Sequence, residues 1–302
     1  MSEDLVPLVR ALGIPEAADL RGTFRGMSDL QVYQWAYERY RDRTSRERIV
    51  WLGGEHGAVM KPGVADWGVR EKAFFTDLST RKTVRGEYEL ARKLLSGQTP
   101  GSLVFGWHSY RKDLEGEHVT LTSSFGLRME GLHSLPNLSF MHQVPPSEGW
   151  RFRNNRTVVP GTRVACGDKV YIACVQTDCL GLGGWTEPGR GDMPYAWEVT
   201  MNWVWLCPAM MEYFYSQATP NDYFIGCLGG PGYVYPKAVP PRDLAKMVDL
   251  AYDMMKRLNL RVFEIMDYSE GVMVEGNSDL TREVVDAMAA KLLLETWLSE
   301  AH

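Results

Sequence analysis

The sequence lacks the features that would assign it at once to several common classes. None of its five cysteines forms a CxxC pair, and their odd number predicts neither a disulfide framework nor a zinc ribbon. No stretch approaches the ~20 apolar residues of a membrane span, and the first residues include Glu3 and Asp4 without an apolar signal core. We therefore expect a reducing, cytoplasmic location without a membrane partner, or secretion if a signal peptide has been removed.

Nucleotide-binding motifs and a strong positive charge are also missing. No GxGxxG fingerprint and no P-loop follows an apolar run, and the segment 181–184 (Gly-Leu-Gly-Gly) leads to Trp185 and Pro188 rather than into a helix. The net charge is −5, and the basic residues between Arg39 and Arg48 are mixed with acidic ones. We therefore expect no nucleic-acid partner and no cofactor. The oligomeric state is left open.

Short apolar runs alternate with amphipathic segments along the 302 residues, which indicates a parallel sheet covered by helices. Ser28 is a suitable N-cap for the first strong helix, and prolines introduce a long helix from Pro240 to Leu258. The pattern predicts an α/β fold with a helical N-terminal segment, built as a (β/α) barrel or an incomplete barrel; an open doubly wound sheet is the second choice. The predicted strands include 49–52, 73–75, 102–105, 119–121, 169–176, 223–227 and 260–265.

Turn-rich segments near the middle of the chain suggest two lobes. Residues 144–149 and 154–161 are rich in Pro, Gly, Ser and Asn. We therefore predict an N-terminal α/β lobe at residues 1–150 and a C-terminal α/β lobe at residues 151–302. One continuous barrel with long rim loops is the alternative.

Carboxylates and aromatic rings dominate the positions that follow the predicted strands, where parallel α/β folds place their functional groups. Carboxylates serve as acid, base or nucleophile, and aromatic rings stack on sugar faces, so the combination favours glycoside chemistry. The loop between Asp178 and Trp197 resembles a binding rim rather than a core element. The residues at the strand ends are Glu55, His56, Asp77, Trp107, His108, Ser123, Ser124, Asp178, Tyr233, Tyr235 and Asp267.

The segment 230–236, Gly-Pro-Gly-Tyr-Val-Tyr-Pro, resembles the signature of the GxGYxYP family of glycoside hydrolases. Further similar segments keep the family's order: Asn137-Leu138-Ser139, Arg190-Gly191 with Pro194 and Trp197, and the run from Ala218 to Phe224. An early segment from Trp67 to Leu78 is similar as well, so that the resemblance spans roughly residues 20–277. It implies a barrel-like catalytic domain that acts on sugars. One departure concerns the acidic motif, because Asp178-Cys179-Leu180-Gly181 stands where the family commonly has Asp-Gly-Asp-Asn.

From these observations we predict a glycoside hydrolase that uses paired carboxylates. Asp178 and Asp267 are the predicted catalytic pair, with Glu55, Glu115 and Glu198 as weaker competitors for the second position. The histidines lack metal-ligand spacing, so we predict no metal site. Alternatives are a metal-assisted deacetylase, a lyase, an isomerase, or a sugar-binding protein without turnover. The predicted substrate-binding residues are Tyr233, Tyr235, Gly232, Trp107, Trp185, Arg190, Trp197 and Asp222.

Overall fold

The computed structural model of the chain describes residues 6–53, 62–131, 137–155, 167–270, 277 and 279–293. The strands are β1 (Arg48–Leu52), β2 (Phe74–Thr76), β3 (Leu103–Trp107), β4 (Arg128–Glu130), β5 (Val175–Gln176), β6 (Tyr195–Val199), β7 (Asp222–Gly226), β8 (Gly229–Gly230) and β9 (Gly232–Tyr233). The helices are α1 (Val6–Ala11), α2 (Asp29–Tyr40), α3 (Pro62–Arg70), α4 (Arg85–Ser96), α5 (Glu115–Ser124), α6 (Leu138–Met141), α7 (Leu182–Trp185), α8 (Trp203–Leu206), α9 (Pro208–Ser216), α10 (Pro241–Leu258) and α11 (Arg282–Met288). Short 3₁₀ turns occupy Arg41–Arg43 and Pro236–Ala238, and a π-helical turn occupies Ala289–Leu293.

The larger sheet has six strands in the order β2-β1-β3-β4-β9-β8. The first four are parallel, whereas β9 pairs antiparallel to β4 and β8 pairs antiparallel to β9. This confirms the α/β class with parallel strands. Because β2 and β3 lie on opposite sides of β1, the chain winds in both directions, as in an open doubly wound sheet. In the part of the chain that the structure describes, no closed barrel is found, so the predicted (β/α) barrel is not confirmed.

The smaller sheet has three parallel strands, β5-β6-β7, and a bridge between Gly226 and Phe263 extends it by one position. The two sheets are not separated by solvent. One hydrophobic core cluster contains Val50 and Phe105 of the larger sheet together with Trp197 and Phe224 of the smaller. The boundary near residue 150 stays a prediction, and the two predicted lobes share this core.

The residues that predict helix ends in the sequence occupy the ends of helices α2 and α10 in the structure. Ser28 caps α2 in a capping box with Gln31, in which each side chain accepts a hydrogen bond from the other residue's backbone N–H. Pro241 begins α10, and Asn259 ends it in the left-handed conformation. The residues that α10 buries include Leu244, Met247, Val248, Ala251, Met254, Met255 and Leu258, which form one face at helical spacing.

Two predicted strands differ from the structure. Residues 119–121 lie inside helix α5 rather than in a strand, so Ser123 and Ser124 are not at a strand end. The predicted strand 169–176 is a strand only at Val175–Gln176, because β6 pairs with these two residues alone. Before them Val170 and Ile172 are 90% and 85% exposed. Among the described residues, no helix is long and apolar enough to cross a membrane.

Candidate functional site

Three carboxylates gather at the carboxyl-end side of the smaller sheet. Asp178 follows β5 and is exposed, and Glu198 lies in β6 opposite Ile225 of β7. Glu264 follows the bridge at Phe263, where the backbone N–H of Glu264 donates to the Gly226 carbonyl over 2.8 Å. Because the three segments are neighbours in one parallel arrangement, three acids that are far apart in sequence meet at one edge.

Glu198 and Glu264 interact directly, and their environments differ. Glu198 has no exposed surface, whereas Glu264 is half-buried. Neither oxygen of Glu198 has a well-formed hydrogen bond to a described residue, and Oε2 of Glu264 is likewise buried without one. Burial, followed by the negative charge of Glu264, raises the pKa of Glu198 to about 8, and the charge of Asp178 adds to the rise. Glu198 is therefore the member of the pair that keeps a proton at neutral pH.

The turn that carries Asp178 contacts Glu198. Asp178 and Cys179 both have left-handed backbones, with φ of 63° and 69°. Two consecutive non-glycine residues in this region are uncommon and mark a strained segment of the kind found at functional sites. The backbone N–H of Cys179 faces the Glu198 carboxyl and favours its ionised form, against the larger effect of burial.

Two thiols lie beside the carboxylates. The Sγ atoms of Cys179 and Cys227 are 3.4 Å apart, and the thiol of Cys227 donates to the Val199 carbonyl over 3.4 Å. Cys227 is buried and Cys179 is half-buried. Within the described ranges, no group of three or more His, Cys, Asp or Glu side chains has an arrangement that could hold a metal ion.

The predicted second acid, Asp267, occupies a different environment. Its Oδ2 accepts the backbone N–H of Lys237 over 2.7 Å, and its Oδ1 accepts both the N–H and the hydroxyl of Ser269. Asp267 is 2% exposed. These contacts give it the geometry of an anchor for the turn that follows Tyr235. Its pairing with Asp178 in catalysis stays a prediction.

The aromatic residues of segment 230–236 are buried. Tyr233 and Tyr235 are 6% and 0% exposed and pack in the same core cluster, while Val234 packs in another, as the alternation of side chains predicts. The Tyr233 hydroxyl donates to Glu115 Oε1 over 2.7 Å and lies 3.1 Å from the Tyr235 hydroxyl. Both rings are thus enclosed by protein, which favours a packing function; their assignment as a sugar platform stays a prediction.

Gly232 and Trp107 complete this region. Gly232 has φ of 132°, and a Cβ atom there would lie 2.8 Å from the Met129 carbonyl oxygen, so that only glycine fits beside β4. Trp107 is half-buried at the end of β3, with its ring stacked over Tyr233 at a centroid distance of 6.0 Å. Of the predicted substrate-binding aromatics in the larger sheet, Trp107 retains the most exposed surface. Among the other strand-end residues, Asp77 is half-buried and His108 is buried, whereas Glu55 and His56 lie outside the described residues.

The remaining predicted binding residues form one cluster at the other end of the smaller sheet. Asp222, the first residue of β7, is fully buried and accepts hydrogen bonds from Arg190 over 2.5 Å and from Trp197 Nε1 over 2.8 Å. The Arg190 guanidinium lies 4.1 Å from the centroid of the Trp185 ring. Trp185 and Trp197 are 2% and 4% exposed. The structure therefore joins the four residues in a buried ion-pair and ring cluster, and their contact with a sugar stays a prediction.

The described residues also line open cavities. One of about 570 Å³ is at the amino-end side of β1 and β4. Its lining residues are Arg48, Arg128, Trp205, Leu250, Asp253, Met254, Lys256 and Arg257. Glu198 itself has no exposed surface, so that only Asp178 and the half-buried Glu264 face solvent among the three acids.

Two of the three acids could be recognised in the sequence as candidates. Asp178 matches the first acid of the family motif, and Glu198 was a weaker competitor for the second. Glu264 was missed, although a signal was present: it is a carboxylate inside the apolar run 260–265. A charged residue at a position that strand packing would bury requires a partner or a function.

Comparison with known proteins identifies similar sequences over nearly the whole chain. Three family models match: the GxGYxYP_N second domain over residues 1–44, the GxGYxYP third domain over residues 46–143, and the "GxGYxYP putative glycoside hydrolase C-terminal domain" over residues 168–301. No curated protein matches the chain.

A solved structure has the same fold. It is described as a putative hydrolase from Bacteroides thetaiotaomicron VPI-5482, with a TM-score of 0.72 and 19% sequence identity. The match covers 96% of this chain and 52% of the other, so this chain spans about half the length of that protein.

Proposed function

The chain belongs to the GxGYxYP family, and from this premise we propose that it is a glycoside hydrolase whose acids are the Glu198–Glu264 pair and Asp178. The observation that carries the proposal is the direct contact between the fully buried Glu198 and the half-buried Glu264, next to the exposed Asp178. Two carboxyl groups that face each other in a buried site cannot both ionise, so one proton is kept at neutral pH. A carboxylic acid that stays protonated near pH 7 is the general acid that glycosidic bond cleavage requires.

We assign the roles by exposure. Glu264 is half-buried and Glu198 is fully buried, so Glu264 is the member that reaches the glycosidic oxygen, and it takes up the proton of Glu198 as it donates one to that oxygen. Glu198 acts through Glu264 and is a positioning residue, because it holds the proton that the pair shares. Asp178 is exposed beside them and serves as the second carboxylate. It attacks the anomeric carbon in a retaining reaction or activates water in an inverting one.

The test is hydrolysis of a panel of aryl glycosides and oligosaccharides by wild type, Glu264→Gln and Asp178→Asn. Asn tolerates the left-handed backbone at residue 178, so the turn is expected to survive the substitution. We expect Glu264→Gln to lower kcat by about 10²–10⁴-fold, the usual contribution of a general acid. The loss is expected to be smaller for a dinitrophenyl leaving group, which needs little protonation. Glu283→Gln is the matched control, because Glu283 is exposed on α11.

Asp267→Asn tests the competing assignment in the same assay. If Asp267 is the second acid, its variant loses turnover while the fold remains intact, and Glu264→Gln behaves like the control. If Asp267 is an anchor, the variant loses stability, and kcat per folded molecule changes little. Wild-type turnover by Glu264→Gln on every substrate that the protein cleaves would contradict the proposal.

A sugar-binding protein without turnover is the second candidate, and two observations favour it. Glu198 has no exposed surface, and the acidic motif retains only Asp178 of the family's Asp-Gly-Asp-Asn. Under this alternative, oligosaccharides bind in calorimetry but are not cleaved, and Glu264→Gln binds them as wild type does.

A further inference from the structure

We propose that Cys179 and Cys227 form a reversible disulfide that locks the turn at residues 178–179 over Glu198. Their two Sγ atoms are in contact at 3.4 Å, although the residues come from different strand ends. A disulfide requires about 2.05 Å between sulfurs, so closing the bond needs an approach of little more than 1 Å. This regulation concerns the proposed catalytic site and therefore rests on the proposed function; the formation of the bond does not.

The position of the turn explains why the bond would matter. Cys179 directly follows Asp178, and its backbone N–H faces the Glu198 carboxyl. Cys227 directly follows β7 and is fixed by its contact with the Val199 carbonyl in β6. A bond between the two thiols would tie the turn to the sheet on which Glu198 lies. Since Glu198 has no exposed surface while the turn is in this position, any opening of the site at Glu198 requires the turn to move, and the disulfide prevents that movement.

The two thiols have different exposures, which sets the order of the chemistry. Cys179 is half-buried and is the thiol that an oxidant reaches first. Its thiolate attacks hydrogen peroxide, the O–O bond breaks, and a sulfenic acid and hydroxide form; the hydroxide takes up the thiol's proton as water. The Cys227 sulfur then attacks the sulfenic sulfur and displaces its hydroxyl group, which leaves as water with the Cys227 proton. Two thiols are oxidised to one disulfide, and one peroxide is reduced to two waters.

Burial affects the rate of the second step. The pKa of the Cys227 thiol is raised well above its usual value, chiefly because the group is buried, with the neighbouring Cys179 adding to the rise. A neutral thiol is a poor nucleophile, so we expect disulfide closure to be slower than oxidation of Cys179. A thiol reductant reverses the reaction by exchange at the half-buried Cys179 sulfur.

The chain provides internal controls for this pair. Cys174 is half-buried on the preceding segment, and Cys207 is buried with its pKa raised to about 11 by burial. In trypsin digests, Cys174 and Cys179 fall in one peptide (170–190), and Cys207 and Cys227 fall in another (191–237). A background with Cys174→Ala and Cys207→Ala therefore makes any cross-link between these two peptides specific to residues 179 and 227.

The experiment treats the purified chain with graded hydrogen peroxide, blocks the remaining thiols under denaturing conditions, and maps the peptides by mass spectrometry. We expect a 170–190 to 191–237 cross-link in wild type and in the background variant, lost on reduction and absent in Cys179→Ala and in Cys227→Ala. If Cys227→Ala does not fold, Cys179→Ala alone decides the matter. Oxidation of residue 179 to a sulfinic acid without a cross-link would overturn the proposal.

The effect on function is measured separately. If the protein cleaves a glycoside, we expect peroxide to lower turnover by roughly tenfold or more, as for a closed lid, and a reductant to restore it. Cys179→Ala should retain its turnover under the same treatment. A cross-link that forms without changing turnover would refute the regulatory function and leave the hydrolase proposal intact. Absence of any turnover in the reduced protein would refute the hydrolase proposal and leave the mapped disulfide in place.

Discussion

Replacing Glu198 by Gln should make the protein more stable at pH 8 than wild type. In wild type the native state holds a proton on Glu198 up to about pH 8, whereas in the unfolded chain the group ionises near the ordinary value of 4.5. The native state therefore binds more protons between these pH values, and its stability falls as the pH rises. Gln keeps the shape of the side chain but cannot ionise, so the variant lacks this loss.

The size of the effect follows from the same values. Each unit between the two pKa values corresponds to about 1.4 kcal/mol, which sets an upper limit of about 5 kcal/mol for the interval from 4.5 to 8. Relaxation around a charged Glu198 reduces this, and we expect the variant to gain about 2–3 kcal/mol relative to wild type between pH 5 and pH 8. The difference between the two proteins is the informative quantity. Burial also raises the pKa of Asp77 to about 6 and that of Glu130 to about 7, and these groups titrate equally in both.

The assay is urea unfolding followed by tryptophan fluorescence at several pH values from 5 to 8, with the ten tryptophans as the probe. The urea dependence of the unfolding free energy must agree between the proteins, so that the comparison reflects stability alone. Glu283→Gln serves as the control and should follow wild type at every pH. A difference between Glu198→Gln and wild type that stays constant within about 0.5 kcal/mol over the range would refute the reasoning, because that is the usual size of an effect at an unlinked surface site.

Three further predictions concern stability. Asp222→Asn should destabilise the protein by about 2–3 kcal/mol in urea unfolding, because the buried Asp222 loses its charged hydrogen bonds to the half-buried Arg190 and to Trp197; equal midpoints for variant and wild type would contradict the ion pair. Asp267→Asn should cost about 1–3 kcal/mol in the same measurement, since it removes charged hydrogen bonds to Lys237 and Ser269. Gly106→Ala should cost about 3 kcal/mol or more, because its Cβ would lie 2.0 Å from the Trp51 carbonyl oxygen. Gly149→Ala, with nothing near its Cβ, should cost only the left-handed strain of about 1–2 kcal/mol, and similar losses for the two glycine variants would refute the steric argument.

The elements that the sequence predicts well are those whose signals are local. The capping box of Ser28 and the proline and asparagine at the ends of α10 depend on neighbouring residues only. The strand order was not predictable in this way. β2 and β3 pair on opposite sides of β1. Which side each strand takes depends on the direction in which the connecting chain crosses the sheet, and the residues of β1 do not indicate that direction.

In the candidate site, too, local signals could be predicted from the sequence and long-range contacts could not. Asp178 could be found from its position after a strand, and Glu198 was a weaker candidate. Their meeting with Glu264 depends on the bridge between Gly226 and Phe263, which joins segments far apart in the chain. The tyrosines of segment 230–236 illustrate the opposite error. Side chains that alternate along an extended segment place both rings on one face, but spacing alone does not distinguish a face that meets solvent from one that meets Glu115 and Ser123.

The antiparallel pairing of Tyr233 with Met129 has a consequence for how the protein is synthesised. The edge of β4 emerges from the ribosome long before β8 and β9, and until they arrive its backbone N–H and C=O groups have no strand partner on that side. An unpaired sheet edge attracts other extended chains. Ribosome pausing or premature termination between residues 130 and 229 would therefore leave a nascent chain that is prone to aggregation. Once the glycine-rich hairpin of β8 and β9 has been synthesised, β9 pairs with β4 and the exposed edge is covered.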